Sequence, residues 1–136
     1  MNGSQAESSV RRPLVLVVDD EDMIRSLIRS VLEANGYRVI EAESAQSALD
    51  RTDIDFGAID LIITDVRMPG LSGPEFARVL RARRPELPIV FVSGYSGDAP
   101  VHADPSAITE FLAKPFPLPH LIAAVRRISA AEPVEV

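Results

Sequence analysis

The stretch Asp60-Leu-Ile-Ile-Thr-Asp65-Val-Arg-Met-Pro-Gly70 decides how this chain is read, because an apolar run stops on a carboxylate and a Pro-Gly turn follows at once. A short apolar run bounded by polar and turn residues is the pattern of a strand buried on both faces of a parallel sheet, although the run alone also fits a short buried helix. Leu61 to Thr64 is read as the strand. In open α/β sheets ligands lie beyond the carboxyl ends of the strands, so Asp65 is the candidate for chemistry.

The same pattern recurs on either side of it. Upstream, Leu14 to Val18 is a continuous aliphatic strand that stops on Asp19-Asp20. Ile24, Leu27, Ile28, Val31 and Leu32 then follow helical spacing, and Asn35-Gly36 closes a helix over about 21 to 35. Tyr37 to Ala42 is a second strand, and residues 44 to 51 form a short helix with Ala45, Ala48 and Leu49 on one face. Residues 53 to 60 read as a polar connector.

Downstream of Asp65, Ser72-Gly-Pro-Glu75 has capping-box spacing with Pro in the first turn, and Phe76, Val79 and Leu80 supply the buried face of the helix it opens. Pro85 and Pro88 end that helix. Ile89 to Val92 is the fourth strand, stopping on Ser93-Gly94. From 96 to 106 the signal weakens, since Gly97, Pro100 and Pro105 oppose a long helix; a short one at most, and a loose face, are expected there. Ile108 to Ala113 is the fifth strand and runs into Lys114-Pro115. Leu121, Ile122, Val125 and Ile128 mark the last helix, opened by Pro119 and ending near Ala130.

Strands alternating with helices predict an α/β fold, a doubly wound five-stranded parallel sheet with right-handed crossovers. At 136 residues the chain fits one domain, with 1–12 as a polar lead-in, 13–130 as the folded unit and 131–136 as a tail. Cysteine is absent, which removes disulfides, thiol catalysis and Cys-ligated zinc. Fourteen basic against twenty acidic residues give a net charge of −6, which disfavours phosphate-neutralising contact with nucleic acid. Arg78, Arg81, Arg83 and Arg84 cluster locally and are read as a solvated helix end, not a recognition patch. The N-terminus carries no signal-peptide pattern and Leu14 to Val18 is far too short to span a bilayer, so no membrane role and a cytoplasmic setting are expected.

All candidate groups share one sheet edge: Asp19, Asp20, Asp65, Ser93 and Lys114 each follow a strand. A lone Asp at a strand end is more often a turn former or helix cap than a nucleophile, and a lone Ser93 or Lys114 has an equally bland reading. Together they point elsewhere. Each pair of unit charges about 4 Å apart costs roughly 1 kcal/mol in water and about 4 at an effective dielectric near 20, so three clustered carboxylates call for a cation. Oxygen-only ligands suit a hard divalent ion, Mg²⁺ above calcium or zinc. Lys114 and the Ser93 hydroxyl then supply what a phosphoryl group in transfer needs, and Asp65 is best placed to attack and become an aspartyl-phosphate.

Asp19-Asp20 after Leu-Val-Leu-Val-Val, Asp65-Val-Arg-Met-Pro-Gly, Val92-Ser93-Gly94 and Lys114-Pro115-Phe116, in that order, resemble the receiver domain of two-component response regulators over about residues 13 to 130. The resemblance implies a flavodoxin-like sheet of strand order 2-1-3-4-5. It implies Asp65 as phosphoacceptor, Asp20 and Asp65 as direct Mg²⁺ ligands with the main-chain carbonyl of Arg67, and Asp19 acting through water. It further implies Ser93 and Lys114 on the phosphoryl oxygens, a cis Lys114–Pro115 bond, and a switch in which Ser93 is drawn inward and Phe111 rotates. Many relatives carry Tyr where this chain has Phe111, so an output step needing that hydroxyl is in question. The Ser-Gly-Tyr run at 93–95 is similar to receivers of hybrid sensor kinases.

The function so implied is Mg²⁺-dependent transfer of a phosphoryl group from a phosphohistidine on a sensor histidine kinase or histidine phosphotransferase to Asp65, followed by a conformational switch and slow self-dephosphorylation. Such a domain catalyses its own modification without being a conventional turnover enzyme. The alternatives are a receiver-fold docking scaffold, or an aspartyl-phosphate hydrolase of the haloacid-dehalogenase type; the latter needs Asp-x-Asp after the first strand, where this chain has Asp19-Asp20-Glu21. No nucleotide-binding glycine loop follows any strand. The chain ends soon after the last expected helix, so no DNA-binding output domain is expected, whether the receiver is free-standing or part of a hybrid kinase. The apolar rim of the first helix, Met23 and Leu27, is read as the dock for the phosphoryl donor. Glu21 and Asp22 are read as solvated helix-start acids.

Overall fold

A computed structural model describes residues 12–94 and 108–129, and the segment expected to be weakly helical, 96–106, lies outside them. Five strands, β1 (Leu14–Val18), β2 (Arg38–Ala42), β3 (Leu61–Asp65), β4 (Ile89–Ser93) and β5 (Thr109–Ala113), form one parallel sheet of order β2-β1-β3-β4-β5. The described helices are α1 (Asp22–Ala34), α2 (Ala45–Asp50), α3 (Gly73–Arg81) and α4 (Leu118–Ile128). Among the described residues no helix is long and apolar enough to cross a membrane.

Period-two alternation along buried strands sorts the core into two layers. Leu14, Leu16 and Val18 of β1, Ile62 of β3 and Ile89 and Phe91 of β4 pack with Ala45 and Ala48 of α2 and Phe76, Ala77 and Leu80 of α3. Val15, Val17, Leu61, Ile63, Val90 and Val92 pack on the other face with Ile28 and Leu32 of α1 and Leu121, Ile122, Val125 and Ile128 of α4. Every residue of β1, β3 and β4 is buried, which is why those strands read as unbroken apolar runs. Burying one such side chain contributes about 1.5–3 kcal/mol, so the central strands and their helices hold the frame on which the strand ends are set.

The helix boundaries follow local chemistry. At α3 the Ser72 hydroxyl accepts the Glu75 amide at 3.2 Å while the Glu75 carboxylate accepts the Ser72 amide at 2.9 Å, the capping box its spacing predicts. Ser44 caps α2 by accepting the Ser47 amide at 2.9 Å.

Three features differ from expectation. Val79, expected on the buried face of α3, is exposed, because the helix turns Phe76, Ala77 and Leu80 to the sheet instead. The 53–60 connector contains a 3₁₀ turn, Phe56–Ala58, started by the Asp55 carboxylate accepting the Gly57 amide at 2.9 Å; a three-residue turn leaves no periodic signal. The arginines at the end of α3 are only partly a solvated face. Arg84 donates to the carbonyls of Phe56, at 2.8 Å, and of Ile59, and Arg81 donates to the carbonyls of Leu87, at 3.0 Å, and Ile108, at 2.6 Å. They fasten the loops entering β3, β4 and β5, while Arg78 and Arg83 are exposed.

Candidate functional site

Parallel register brings the strand ends together. Val18 pairs with Thr64, so Asp19 and Asp65 are the next residues of β1 and β3; Asp65 pairs with Val92, and Ser93 with Ala113, just before Lys114. The Lys114 amide donates to the Ser93 carbonyl at 2.7 Å, fixing the residue that leaves β5 against the end of β4. The Lys114–Pro115 bond is cis, as the resemblance implied.

The Lys114 ammonium is the centre of the group. Its Nζ lies 3.1 Å from Asp19 Oδ2, 3.2 Å from Asp65 Oδ2 and 3.0 Å from Glu21 Oε1. Asp19 is 1% exposed and Asp65 8%. Burial alone would lower the Lys114 ammonium, but its hydrogen bond to Glu21 and the charge of Asp19, with that of Asp65 behind, win and hold it above the ordinary lysine range. Burial raises the Asp19 carboxyl above its usual value, although the Glu21 amide and Lys114 pull the other way. Lys114 is a fixed cation here, and Asp19 is an anion held at a cost.

Asp65 is delivered by β3 and then braced from both sides. The Arg67 amide donates to Asp65 Oδ1 at 3.3 Å, and the Thr64 hydroxyl donates to the Asp65 carbonyl at 3.0 Å. Gly73, the first residue of α3, packs so close that a Cβ there would stand 2.3 Å from the Asp65 main-chain oxygen. Only a residue without a side chain lets α3 begin at this point.

Of the residues singled out from sequence, Asp19, Asp65 and Lys114 meet directly, and Ser93 is buried at the end of β4 beside them in the sheet. Asp20 is exposed and stands outside the close group; among the described residues, the three carboxylates whose oxygens lie within 4.8 Å of one another are those of Asp19, Glu21 and Asp65. Phe111 is 38% exposed and stacks on Phe91, ring centroids 5.3 Å apart. Glu21 is the residue the sequence reading set aside. As N-cap of α1 it makes no capping hydrogen bond with its side chain, which reaches Lys114 instead. Its place two positions after Asp19 was the available signal, masked by the plausibility of an ordinary helix-start acid.

Three carboxylates and one ammonium, all ionised, carry a formal charge of −2. Oxygen donors only, close together and with excess negative charge, fit a hard divalent cation. A buried carboxylate beside a fixed cation is also the arrangement that can take a phosphoryl group and stabilise its oxygens.

The profile of the family described as "Response regulator receiver domain" matches residues 15–126. The chain is 39% identical over 115 residues to the sensor kinase CckA of Brucella abortus, an overlap of 84% of this chain and 12% of that protein. It is 40% identical over 115 residues to the transcriptional regulatory protein FixJ of Azorhizobium caulinodans, covering 82% of this chain and 53% of FixJ. The chain thus spans from about an eighth to about half of these curated relatives. Among solved structures it is similar to the response regulator TrrA of Thermotoga maritima, determined in complex with Mg²⁺-BeF, with a TM-score of 0.73, 31% identity and coverage of 85% of this chain and 98% of that one.

Proposed function

This chain belongs to the response regulator receiver family of two-component signalling, and from that premise we propose that Asp65 is its phosphoacceptor, charged by a partner phosphohistidine. The observation that carries this reading is the Lys114 ammonium seated between Asp19 and Asp65, at 3.1 and 3.2 Å. An Asp65 carboxylate oxygen attacks phosphorus, the P–N bond of the donor breaks with its electron pair returning to the imidazole nitrogen, and a P–O bond forms on Asp65.

In this reading Asp19, Asp20, Asp65 and the Arg67 carbonyl hold Mg²⁺, with Glu21 at the rim of the same group. When bound, the ion supplies charge neutralisation for the phosphoryl oxygens. Lys114 contributes the second positive charge, and Ser93 a hydroxyl donor from the end of β4. Thr64, Arg67 and Gly73 keep the acceptor carboxylate in place. Hydrolysis reverses the attack, with water taking the phosphoryl group and Asp65 released as carboxylate. Replacing the singly charged Asp65 carboxylate with an acyl phosphate of about −2 draws Ser93 inward and lets Phe111 leave its stacked, partly exposed position, which biases the surface that partners see.

Receiver domains partner with histidine kinases, and α1 offers the dock: Met23 is 86% and Leu27 46% exposed, beside a shallow depression lined also by Asp22, Ser26 and Ser30. The apolar rim lies on α1, whose N-cap is the site residue Glu21, which supports a helical donor seated beside the acceptor end of the sheet.

Intact-mass spectrometry after incubation with acetyl phosphate tests the reading. One phosphoryl group should be gained with Mg²⁺, and none with chelator or in Asp65→Asn. Labelling of the Asn variant equal to that of the wild type would overturn it.

A further inference from the structure

The acids of the site sit on a short loop, and one side chain grips that loop from behind. Arg25, one turn into α1, donates through Nη1 to the Asp19 main-chain carbonyl at 2.7 Å, while its own amide donates to the Glu21 carbonyl at 3.0 Å. The same guanidinium donates through Nε to Glu41 Oε1 at 3.0 Å and through Nη2 to Asp22 Oδ1 at 2.6 Å. Glu41 belongs to β2, and its other oxygen accepts from Arg29 Nη1 at 2.8 Å. On the amino side, the Asp19 amide donates to the Ala42 carbonyl of β2 at 3.2 Å. Asp19 is therefore tied to the edge strand twice, once by its own amide and once through Arg25 and Glu41.

This arrangement needs arginine. Three acceptors in different directions are met by a rigid, planar fork of donors, a task a lysine ammonium on a flexible stem does not reproduce. It also answers a physical need. Asp19 and Glu21 point toward Asp65 against mutual repulsion, and a loop free to relax would turn them apart.

We propose that Arg25 is a positioning residue of the site: it fixes the 19–21 loop against β2 and so sets the carboxylates of Asp19 and Glu21 in register with Asp65 for a divalent cation. The proposal rests on the phosphoacceptor reading for the identity of the ion, and concerns a residue that touches neither metal nor phosphoryl group. Partners that orient metal ligands typically carry 10–100-fold in affinity, and Arg25, acting through main chain, falls at the lower end.

The test is calorimetric titration of Mg²⁺ into wild type, Arg25→Gln, Arg25→Lys and Glu41→Gln, with thermal unfolding and amide hydrogen exchange at Asp20, Glu21 and Asp22 measured on each. Arg25→Gln should weaken Mg²⁺ binding about tenfold, Glu41→Gln should weaken it in the same direction by less, and Arg25→Lys should fail to restore it despite keeping the charge. Acetyl-phosphate labelling of the variants should recover as Mg²⁺ is raised, a shift in metal requirement that simple destabilisation would not give. Folded Arg25 variants with wild-type Mg²⁺ affinity would overturn the proposal even if they melt lower; Glu41→Gln keeps the test open if Arg25→Gln does not fold. A wild-type chain that binds no Mg²⁺ would count against the phosphoacceptor reading itself. The loop role is then decided by exchange alone, faster at Asp20 and Glu21 in Arg25→Gln if Arg25 holds the loop and unchanged if it does not.

Discussion

Lys114 Nζ stands 3.2 Å from Asp65 Oδ2, although 49 positions separate the two residues in the chain. The parallel register produces this meeting, because β3, β4 and β5 all end at one edge and Lys114 is tied by its amide to the last residue of β4. An ammonium so placed offsets the carboxylates around it and, in the proposed phosphoacceptor reading, would neutralise phosphoryl oxygens during transfer. Lys114→Met should slow labelling by acetyl phosphate by about 10²-fold or more, measured as the rate of mass gain at saturating Mg²⁺. Lys114→Arg should not restore it, since a planar fork does not replace a point charge among three acids.

Gly73 gives a second expectation. A methyl group there meets the Asp65 carbonyl at 2.3 Å and Val66 Cα at 3.1 Å, both main chain, so α3 or the end of β3 must move. Gly73→Ala should cost about 1–3 kcal/mol in denaturant unfolding and slow labelling of Asp65, although it touches no charged group.

Asp19 sets a pH dependence. Its carboxyl is raised above 3.8, first by burial and further by Asp65, against the Glu21 amide and Lys114. A raised folded-state value means the folded chain holds the proton more tightly than the unfolded one. The contribution of this group to stability is therefore full below 3.8 and is lost as pH rises through the raised value. Without metal, Asp19→Asn should melt above wild type at neutral pH, and this gap should close in acid. Added Mg²⁺ should stabilise wild type increasingly as pH rises through the same window, and stabilise Asp19→Asn less. Thermal melts across pH, with and without Mg²⁺, check both statements.

The exposed rim of α1 yields a test of partner recognition. Leu27→Glu places a charge on the proposed docking rim while leaving the buried residues of the helix, Ile28 and Leu32, in place. Transfer from a phosphohistidine donor should fall about tenfold or more, as expected when an interface anchor is lost, whereas labelling by acetyl phosphate should persist. Equal loss in both assays would contradict docking at this rim.

The fold was readable because the central strands are short, buried, mostly apolar runs that end at a chemically distinctive residue, Val18 before Asp19, Thr64 before Asp65 and Val92 before Ser93, and the edge strand β5 likewise leads from Ala113 into Lys114. Strand ends need only parallel order to become neighbours, so these contacts carry over from sequence to space. Glu21 and Arg25 were not readable in the same way. Each sits in the first turn of an amphipathic helix, where acids and arginines are ordinary, and what distinguishes them is the direction of their side chains, toward Lys114 and back to the Asp19 carbonyl. Asp20 differs from its neighbour in a way the sequence does not show, being exposed where Asp19 is buried. Arg81 and Arg84 followed the composition of a solvated helix end, yet main-chain carbonyls lie within their reach and take their donors.

The most direct measurement is the position of the phosphoryl group. Acyl phosphates are reduced by borohydride to the alcohol, so labelling with Mg²⁺ and acetyl phosphate, reduction and peptide mapping mark the acceptor aspartate as homoserine. Conversion at Asp65 alone, dependent on Mg²⁺ and reduced in Lys114→Met, is the expected result. Conversion at any other acid with Asp65 unmodified, or no conversion in a folded wild-type protein, would contradict the account.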